Sequence, residues 1–391
     1  MKKIAIVFDG DIFNLKGKVN SIINRIHYLQ SIADYQVDVF SLQIYDSRTV
    51  CLYKKKKYLQ HSSEMIMLDG ISVNVIWLEN YLIDVLLTSK MRKRPIFRDR
   101  LLRKIVDLFS DYSLISAHSF ICGNLAYLIN KKYGLPYFCT WHGSEIHTIP
   151  QNNAFQKAAT AEILRNAECN FFVSKALEAT ARTEITPDFC SGILYNGVNG
   201  HFRKTNEFEK KKLKSKYGVD HAKVVTYAGN LIDVKNPHLL APIFAAVAQK
   251  YKEDVCFWII GDGSMRDSVK SDLLKYNVEC TMWGNQPADI MPEFFQCTDV
   301  CLLVSKNEGM GMVLLESIAC GANAVGAKVG GIPEVLPSDC VFEHCPEFVN
   351  NISDKIVSLL QQKQNQELNE VFKWEHTAEI ENSVYKKILN I

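Results

Sequence analysis

Two glutamates eight residues apart, Glu308 and Glu316, stand out in the stretch DVCLLVSKNEGMGMVLLESIACGANAVGAKVGGIPEVL, residues 299–336. Glu308 lies in a glycine-containing loop after a buried strand pattern. Glu316 lies about one turn into the helix predicted to begin near Gly311. A carboxylate is repelled by a phosphate but accepts hydrogen bonds from hydroxyl groups. The spacing therefore indicates one glutamate on a hexose and one on a ribose.

The loop that carries Glu308 is suited to a phosphate. It follows the carboxyl end of a predicted strand, where open α/β sheets bind ligands. The free N–H groups at the start of the next helix attract an anion. Gly309 and Gly311 lack a Cβ atom, so the backbone can approach a ligand closely. For Glu316 alone, a favourable interaction with the helix dipole is a competing explanation, but it does not account for the whole stretch.

Two series of alternating strands and helices position this loop. Strand patterns occupy residues 3–8, 37–42, 72–78, 114–117, 137–140, 169–173 and 192–194 in the first series, and residues 223–228, 255–260, 280–283, 299–304 and 324–326 in the second. Helical patterns separate most of them, which predicts an α/β fold with parallel sheets covered on both faces. A turn-rich stretch at 195–200 predicts a linker. Residues 374–389 predict a helix with one buried face.

Length and composition agree with two globular domains. The chain has 391 residues, of which 47% are hydrophobic and 23% are charged. No apolar run approaches the roughly 20 residues of a membrane span, and the N-terminal MKKIAIVFDGD indicates a strand rather than a signal peptide. None of the 12 cysteines forms a Cys-x2-Cys pair. Buried free thiols in a reducing cytoplasm are therefore favoured over zinc or disulfide frameworks.

Further short motifs, each weak alone, occur in a characteristic order. They are Thr140-Trp141-His142-Gly143, Asn196-Gly197-Val198-Asn199, Gly229 with Lys235, Gly261-Asp262-Gly263, Trp283-Gly284, Glu308-Gly309-Met310-Gly311, Gly330-Gly331-x-x-Glu334 and a terminal helix with Trp374 and Tyr385. Together with the Glu-x7-Glu spacing, the sequence resembles the glycosyltransferases of family 4. The resemblance implies a GT-B fold, in which two Rossmann-like domains face each other across a cleft. It implies an acceptor-binding domain over 1–195, a nucleotide-sugar-binding domain over 196–373, and a helix over 374–391 that packs back on the first domain.

The resemblance also implies roles for individual residues in retaining transfer from a nucleotide sugar. The catalytic residues would be Lys235, Glu308 and His142, with Lys235 opposing the charge on the departing diphosphate and His142 beside the transferred sugar. The donor-binding residues would be Gly17, Asn230, Lys235, Gly263, Gly284, Glu308, Gly309, Met310, Gly311, Met312 and Glu316. Glu145 and His147 would contact the acceptor or merely be polar groups of a loop. UDP is the expected nucleotide, with GDP as the alternative. No cofactor and no metal are expected, since no Asp-x-Asp occurs in a site loop.

The sequence departs from the family at two positions. Asn230 stands where the family usually has an arginine or another phosphate-binding residue, so either Lys235 and the helix N-terminus suffice, or Arg266 or another cation supplies further charge. Where the family often has two adjacent glycines, only Gly17 is present, and Lys16 before it could supply part of the missing charge. Three alternatives therefore stay open: a sugar-nucleotide epimerase, a phosphorylase, and a catalytically weak sugar-nucleotide-binding partner protein. The phosphorylase is the weakest of these, because no lysine context for pyridoxal phosphate is found.

Charge distribution bears on the acceptor and the location. Residues 51–104 hold 12 cations against 5 acids, and residues 201–391 hold 21 against 25. Residues 85–109 combine eight cations with apolar residues, which is typical of either an anionic membrane surface or a solvated helix, and Pro95 interrupts any single long helix. No nucleic-acid motif appears. We expect a cytoplasmic protein, free or peripheral on the inner face of the membrane, that extends a glycan or lipid-linked acceptor in cell-surface polysaccharide synthesis.

Overall fold

The computed structural model describes residues 2–13, 17–59, 61, 64–362 and 365–391. The chain divides into two compact units. The first contains Met1–Gly197 and Trp374–Ile391, and the second contains Val198–Lys373. The first division falls two residues beyond the predicted boundary at 195/196, and the second falls at the predicted Trp374.

The first unit is built on a sheet whose described strands run in the order β3-β4-β2-β1-β5-β6-β7-β8. The strands are β1 (Lys3–Asp9), β2 (Gln36–Asp46), β3 (Glu64–Leu68), β4 (Ile71–Asn80), β5 (Leu114–His118), β6 (Tyr137–Trp141), β7 (Cys169–Phe172) and β8 (Ser191–Ile193). Neighbouring strands are parallel except β3 and β4. Because the carboxyl ends of parallel strands lie at one edge, the loops after β1, β5 and β6 meet there.

Helices cover both faces of this sheet. They are α1 (Lys18–Ile32), α2 (Arg48–Tyr53), α3 (Leu82–Ser89), α4 (Ile96–Ile105), α5 (Phe120–Tyr133), α6 (Ser144–His147), α7 (Ala154–Asn166) and α8 (Lys175–Glu184), with 3-10 turns at Val106–Phe109 and Pro150–Asn152. Side chains alternate along β1, so that Ala5 and Val7 belong to one apolar cluster and Ile4, Ile6 and Phe8 to the other. Two buried layers result, as a doubly covered sheet requires.

Strand β3 departs from the predicted parallel pattern. It pairs with β4 in antiparallel register, with Leu68 opposite Ile71. The connection is Asp69-Gly70, and both residues have positive φ, 48° and 80°. An Asp-Gly pair is the preferred sequence for a two-residue hairpin turn. The signal was present in the sequence, although the strand pattern before it was too weak to reveal β3.

The second unit contains a parallel sheet in the order β11-β10-β9-β12-β13-β14. The strands are β9 (Lys223–Ala228), β10 (Val255–Ile260), β11 (Thr281–Gly284), β12 (Val300–Leu303), β13 (Asn323–Ala327) and β14 (Val341–Phe342). The helices are α9 (Glu207–Lys216), α10 (Leu240–Lys250), α11 (Arg266–Lys275), α12 (Met291–Cys297), α13 (Met312–Ala319), α14 (Ile332–Val335) and α15 (Phe348–Gln361). Short 3-10 turns lie at Asp233–Lys235, Pro237–Leu239, Ser338–Cys340 and Glu370–Phe372. Since β9 lies between β10 and β12, the loops after these three strands are neighbours.

The C-terminal helix, Trp374–Leu389, belongs to the first unit. Tyr385 and Leu389 join the apolar cluster of Ile4 and Ile6. Beside them, Nε of Arg25 from α1 donates to Glu381 at 2.5 Å, and the two side chains are 2% and 1% exposed. The two Nη atoms of Arg25 have no hydrogen-bond partner among the described residues. The charge of Arg25 is therefore balanced chiefly by Glu381.

We predict that Glu381→Ala lowers the free energy of unfolding by about 3–5 kcal/mol, because it leaves the buried guanidinium unbalanced. Urea denaturation measures the change. Glu379→Ala, an exposed position on the same helix, is the control and should lie within about 0.5 kcal/mol of the parent. The double variant Arg25→Met/Glu381→Leu should recover much of the loss. Equal effects at 379 and 381 would contradict a buried pair.

Candidate active site

The centre of the site in the second unit is the contact between Lys235 and Glu308. The 3-10 turn Asp233–Lys235 ends at Asn236, whose φ of 52° reverses the chain. Nζ of Lys235 donates to Oε2 of Glu308, and the hydroxyl of Ser305 donates to the same oxygen at 3.2 Å. The side chains of Lys235 and Glu308 are 22% and 15% exposed. Two residues 73 positions apart, both predicted from the sequence, are thus brought together.

Backbone contacts hold the loop after β12 in place. The N–H of Lys306 donates to the carbonyl of Val234 at 2.8 Å, which joins this loop to the turn that carries Lys235. The N–H of Gly331 donates to the carbonyl of Glu308 at 3.3 Å. A Cβ atom at Gly330, whose φ is 50°, would collide with that same carbonyl. The glycine pair of the downstream motif therefore acts by letting its backbone pack against the Glu308 loop.

The start of α13 places backbone donors next to this loop. Gly311 precedes the helix with a φ of 84°, a left-handed conformation that favours glycine, and no side chain caps the helix. Met310 is buried and anchors the loop, and Met312 is the first helical residue. The N–H groups of the first turn have no partner within the helix. They form a donor-rich, partially positive end suited to a phosphate.

Glu316 faces an apolar environment. Burial of its carboxyl group raises the pKa of Glu316 to about 8, although the residue as a whole is half-buried rather than fully enclosed. Among the described residues, no side chain donates a hydrogen bond to this carboxyl. It can accept hydrogen bonds from a bound molecule when ionised or donate one when protonated.

The residues predicted to lie near the nucleotide follow β9, β10 and β11. Asn230 is exposed. Gly263 packs so closely that a Cβ atom would collide with the carbonyl of Leu231. Nη1 of Arg266 donates to Asp262 at 2.9 Å and lies 3.5 Å from where a Cβ of Gly284 would be. Arg266 therefore lies at this edge of the sheet as the ion-pair partner of Asp262.

In the first unit, His142 lies at the end of β6 beside His118 at the end of β5. Nε2 of His142 and Nδ1 of His118 are 3.2 Å apart, and the ring centroids are 5.4 Å apart. Burial, with smaller contributions from Lys18 and Arg25, lowers the pKa of His142, and burial also lowers that of His118. Both imidazoles are therefore neutral at pH 7. Nδ1 of His142 is buried and has no partner among the described residues, so it can pair with a bound molecule.

The side chain of Asp9, at the end of β1, links the loop after β1 to neighbouring segments through hydrogen bonds. It accepts from Nζ of Lys18 at 2.7 Å and from the hydroxyl of Ser119 at 2.5 Å. Burial acts to lower the pKa of Lys18, but Asp9 outweighs it and holds that pKa above its usual value. Gly17, with a φ of 52°, precedes α1, and a Cβ there would meet open space. Lys16 lies outside the described residues.

The two predicted acceptor residues have different surroundings. Glu145 is buried and accepts from the backbone N–H of His142 at 2.8 Å, so it supports the loop that carries His142. His147 is partly exposed, and its Nδ1 lies 2.7 Å from the hydroxyl of Thr148. Neither contact shows what an acceptor would touch. The acceptor role of both residues stays a prediction.

Two residues near His142, His118 and Lys18, were not singled out in the sequence. His118 ends a strand and precedes Ser119, which has a positive φ of 88°. His118 therefore resembles His142 in its position at the end of a strand. No sequence motif surrounds His118, so it could not be distinguished from other histidines. Lys18 follows Gly17 directly and has a carboxylate partner in Asp9 that only the fold reveals.

Comparison with known proteins finds a family match within the second unit. The family description "Glycosyl transferases group 1" matches residues 209–373. The chain is 25% identical over 216 residues to N-acetyl-alpha-D-glucosaminyl L-malate synthase of Bacillus anthracis, an alignment that covers 54% of this chain and 55% of that protein. The chain spans about half the length of the curated relatives that it matches.

Solved structures match over the whole chain. Sucrose-phosphate synthase from Thermosynechococcus elongatus superposes with a TM-score of 0.73 at 16% identity, covering 100% of both chains. HepE of Anabaena, in complex with UDP and glucose, has a TM-score of 0.69 at 17% identity, covering 99% of this chain and 100% of that one. These similarities confirm the predicted GT-B fold.

The matched residues of the second unit agree with the glycosyltransferase class that the sequence predicted.

We predict that stability falls with pH where Glu316 titrates. Its folded pKa of about 8 exceeds the unfolded value near 4.5, so between these values the folded state holds a proton that the unfolded state has lost. Stability is lost as the pH rises through this interval. Relative to the parent, Glu316→Gln should therefore gain about 1 kcal/mol or more between pH 5 and pH 8.

Urea denaturation across that pH range measures the difference. Glu347→Gln, at an exposed position of the same unit, is the control and should show no pH-dependent gain. A constant offset between Glu316→Gln and the parent at every pH would contradict the raised pKa.

Proposed function

We propose that the protein is a retaining glycosyltransferase of family 4 that moves a hexose-type sugar from a nucleotide sugar to an acceptor. The observation that carries this proposal is the Lys235–Glu308 pair beside the N-terminus of α13. It combines a fixed ammonium, a carboxylate and backbone N–H groups at one edge of a parallel sheet. Few ligands other than a sugar joined to a diphosphate need all three.

The proposed chemistry follows from charge. Cleavage of the anomeric C–O bond leaves negative charge on the departing diphosphate, and donors held in advance stabilise it. An ammonium has three donors, so Lys235 can retain its bond to Glu308 while it donates to a phosphate oxygen. The N–H groups of Gly311 and Met312 would bind the same diphosphate, and Glu308 would accept from hydroxyls of the transferred sugar. In the first unit, the unpartnered Nδ1 of His142 can form a hydrogen bond with a bound molecule.

The nucleotide is proposed to be UDP, with Glu316 on the ribose hydroxyls. HepE, whose fold matches, is described as a complex with UDP and glucose, and this supports the choice. Among the described residues, no group of three or more histidine, cysteine or acidic side chains could hold a metal ion. The proposal assigns charge stabilisation to Lys235 and the helix, with Arg266 as the further cation, and includes no metal or cofactor.

A second candidate is a sugar-nucleotide-binding partner with weak catalysis. The exposed, uncharged Asn230 favours it. Incubation with sugar nucleotides separates the two: transfer or hydrolysis supports the enzyme, and binding without turnover supports the partner protein. Epimerisation of the sugar nucleotide without an acceptor would indicate the epimerase.

The acceptor is proposed to be a glycan or a lipid-linked glycan of the cell surface, reached at the cytoplasmic face of the membrane. Helices α3 and α4 carry the basic segment 85–109, and Asp84 joins them by accepting from the N–H groups of Phe97 and Arg98 at 3.1 and 2.7 Å. Ile83, Met91, Ile96 and Leu108 are each more than half exposed. Within the described residues, no helix has the length and apolarity to cross a bilayer. The proposed contact is therefore peripheral.

We predict that Lys235→Ala lowers kcat by about 10²–10³-fold, because the lost donor acts mainly on charge that develops in the transition state. Turnover of UDP-sugars, measured as UDP release, reports kcat, and calorimetry with UDP reports binding. Lys270→Ala, an exposed lysine of the same unit, should leave both unchanged. An unaltered kcat in Lys235→Ala would remove this residue from the mechanism.

We predict that the protein floats with vesicles containing phosphatidylglycerol at low salt and is released at high salt, because each exposed cation near an anionic surface contributes about 1 kcal/mol. Arg92→Glu/Lys93→Glu should abolish flotation. The matched pair Lys211→Glu/Lys212→Glu, on exposed positions of α9, should not. Flotation that is insensitive to the first pair would place the membrane contact elsewhere.

A further inference from the structure

A cavity of about 360 Å³ opens in the first unit at the carboxyl ends of β2 and β4. It is lined by Ser47, Arg48, Thr49, Tyr58, Glu79 and Tyr81. Its volume lies within the roughly 300–1,000 Å³ typical of small-molecule sites. The residues described so far as site residues do not line it.

The walls of this cavity are fixed by the two strands. Tyr45 and Glu79 are paired in the β2–β4 register. Just beyond the strands, the N–H of Ser47 donates to the carbonyl of Asn80 at 3.1 Å. The side chain of Asn80 donates to Asp46 at 3.1 Å, and Asp46 also pairs with Lys54 at 2.9 Å. The cavity is therefore held by the sheet and not by a loop alone.

The polar groups in the cavity are balanced in charge. Arg48 stacks over the ring of Tyr58, with 5.1 Å from Cζ to the ring centroid, and the Glu79 carboxylate accepts a hydrogen bond from the hydroxyl of Tyr81. Interaction with the Glu79 carboxylate, together with burial, raises the pKa of Tyr81 to about 12. Tyr81 therefore stays a neutral hydroxyl. One carboxylate acceptor, one guanidinium donor and several hydroxyls face the same space.

A row of aromatic rings continues from the cavity along the same face of the sheet. Tyr45 lies 6.2 Å from Trp77, centroid to centroid. Trp77 stacks on His61 at 4.0 Å and on Phe13 at 6.4 Å, and Phe13 is 71% exposed. Nε1 of Trp77 is a buried donor that has no partner within the described part of the chain. Such rings offer large apolar surface with a polar group at one edge.

We propose that this cavity, with its aromatic row, is a binding site for a neutral sugar unit of the acceptor. A phosphate or carboxylate ligand would be repelled by Glu79, and a cation by Arg48. A purely apolar ligand would pair with neither the guanidinium of Arg48 nor the carboxylate of Glu79. A neutral sugar ring has hydroxyls that both donate and accept, and apolar C–H faces that pack on aromatic rings. The inference rests on the proposed transferase function, since it treats the sugar as an acceptor unit.

The test measures sugar binding directly, without turnover. Saturation-transfer difference NMR uses the methyl α-glycosides of glucose, galactose, mannose and N-acetylglucosamine as probes, with inorganic phosphate followed by its own ³¹P resonance. Glu79→Gln preserves shape and removes the acceptor charge, and Tyr81→Phe removes the hydroxyl. The matched controls are Glu64→Gln and Tyr53→Phe, both on exposed positions of the same unit. Circular dichroism confirms that each variant is folded.

The expected result is a signal from at least one glycoside and none from phosphate. Binding should fall at least fivefold in Glu79→Gln and Tyr81→Phe and stay unchanged in the controls. Absence of binding for all four glycosides, or equal binding in Glu79→Gln and the parent, would overturn the proposal. UDP binding, measured in parallel by calorimetry, should be equal in all of these proteins. Failure of the parent to bind UDP would instead contradict the transferase function, so the two failures are distinguishable.

Discussion

The contact between Lys235 and Glu308 is the interaction on which the candidate site depends. An ammonium and a carboxylate, each less than a quarter exposed, must be held together by the backbone around them because the pair alone is flexible. That support comes from the Lys306–Val234 hydrogen bond on one side and from Gly330 and Gly331 on the other. The glycines, the turn at Asn236 and the order of strands β9 and β12 all serve to place two side chains. A parallel sheet makes this possible, since loops distant in sequence emerge at a common edge.

The sequence was sufficient for the fold class because the strand patterns alternate with helical patterns and the motifs occur in a consistent order. Lys235, Glu308 and the loop before α13 were predicted for the same reason, and the structure brings them together. The sequence was less informative where tertiary contacts determine the burial and the partners of a side chain. The sequence allows Glu145 to be a polar loop residue, but the structure shows that its side chain is buried and accepts a hydrogen bond from the backbone of His142. The antiparallel strand β3 was missed, although the Asp69-Gly70 turn was visible.

Other features could not have been predicted because they arise between distant residues. The neighbourhood of His118 and His142 depends on β5 and β6 being adjacent, and the Arg25–Glu381 pair joins the first helix to the last. The cavity at Glu79 is formed by two strands and a short helix that carry no recognisable motif. Residue patterns and spacings identify candidate functional groups within one segment of the sequence. Which side chains are buried, and which residues of distant segments contact each other, is known only from the folded chain. The burial of the Glu316 carboxyl group also depends on packing between segments, so it could not be predicted from the sequence.

The C-terminal helix has a consequence for biosynthesis. Its Tyr385 and Leu389 complete an apolar layer that begins with β1, and its Glu381 neutralises Arg25 of α1. During translation the ribosome therefore produces the whole of the second unit before the first unit receives its last packing element. Until then, part of a sheet face and an unbalanced guanidinium remain exposed in the nascent chain, which favours chaperone binding. The half of the protein that is synthesised first is the half that finishes folding last.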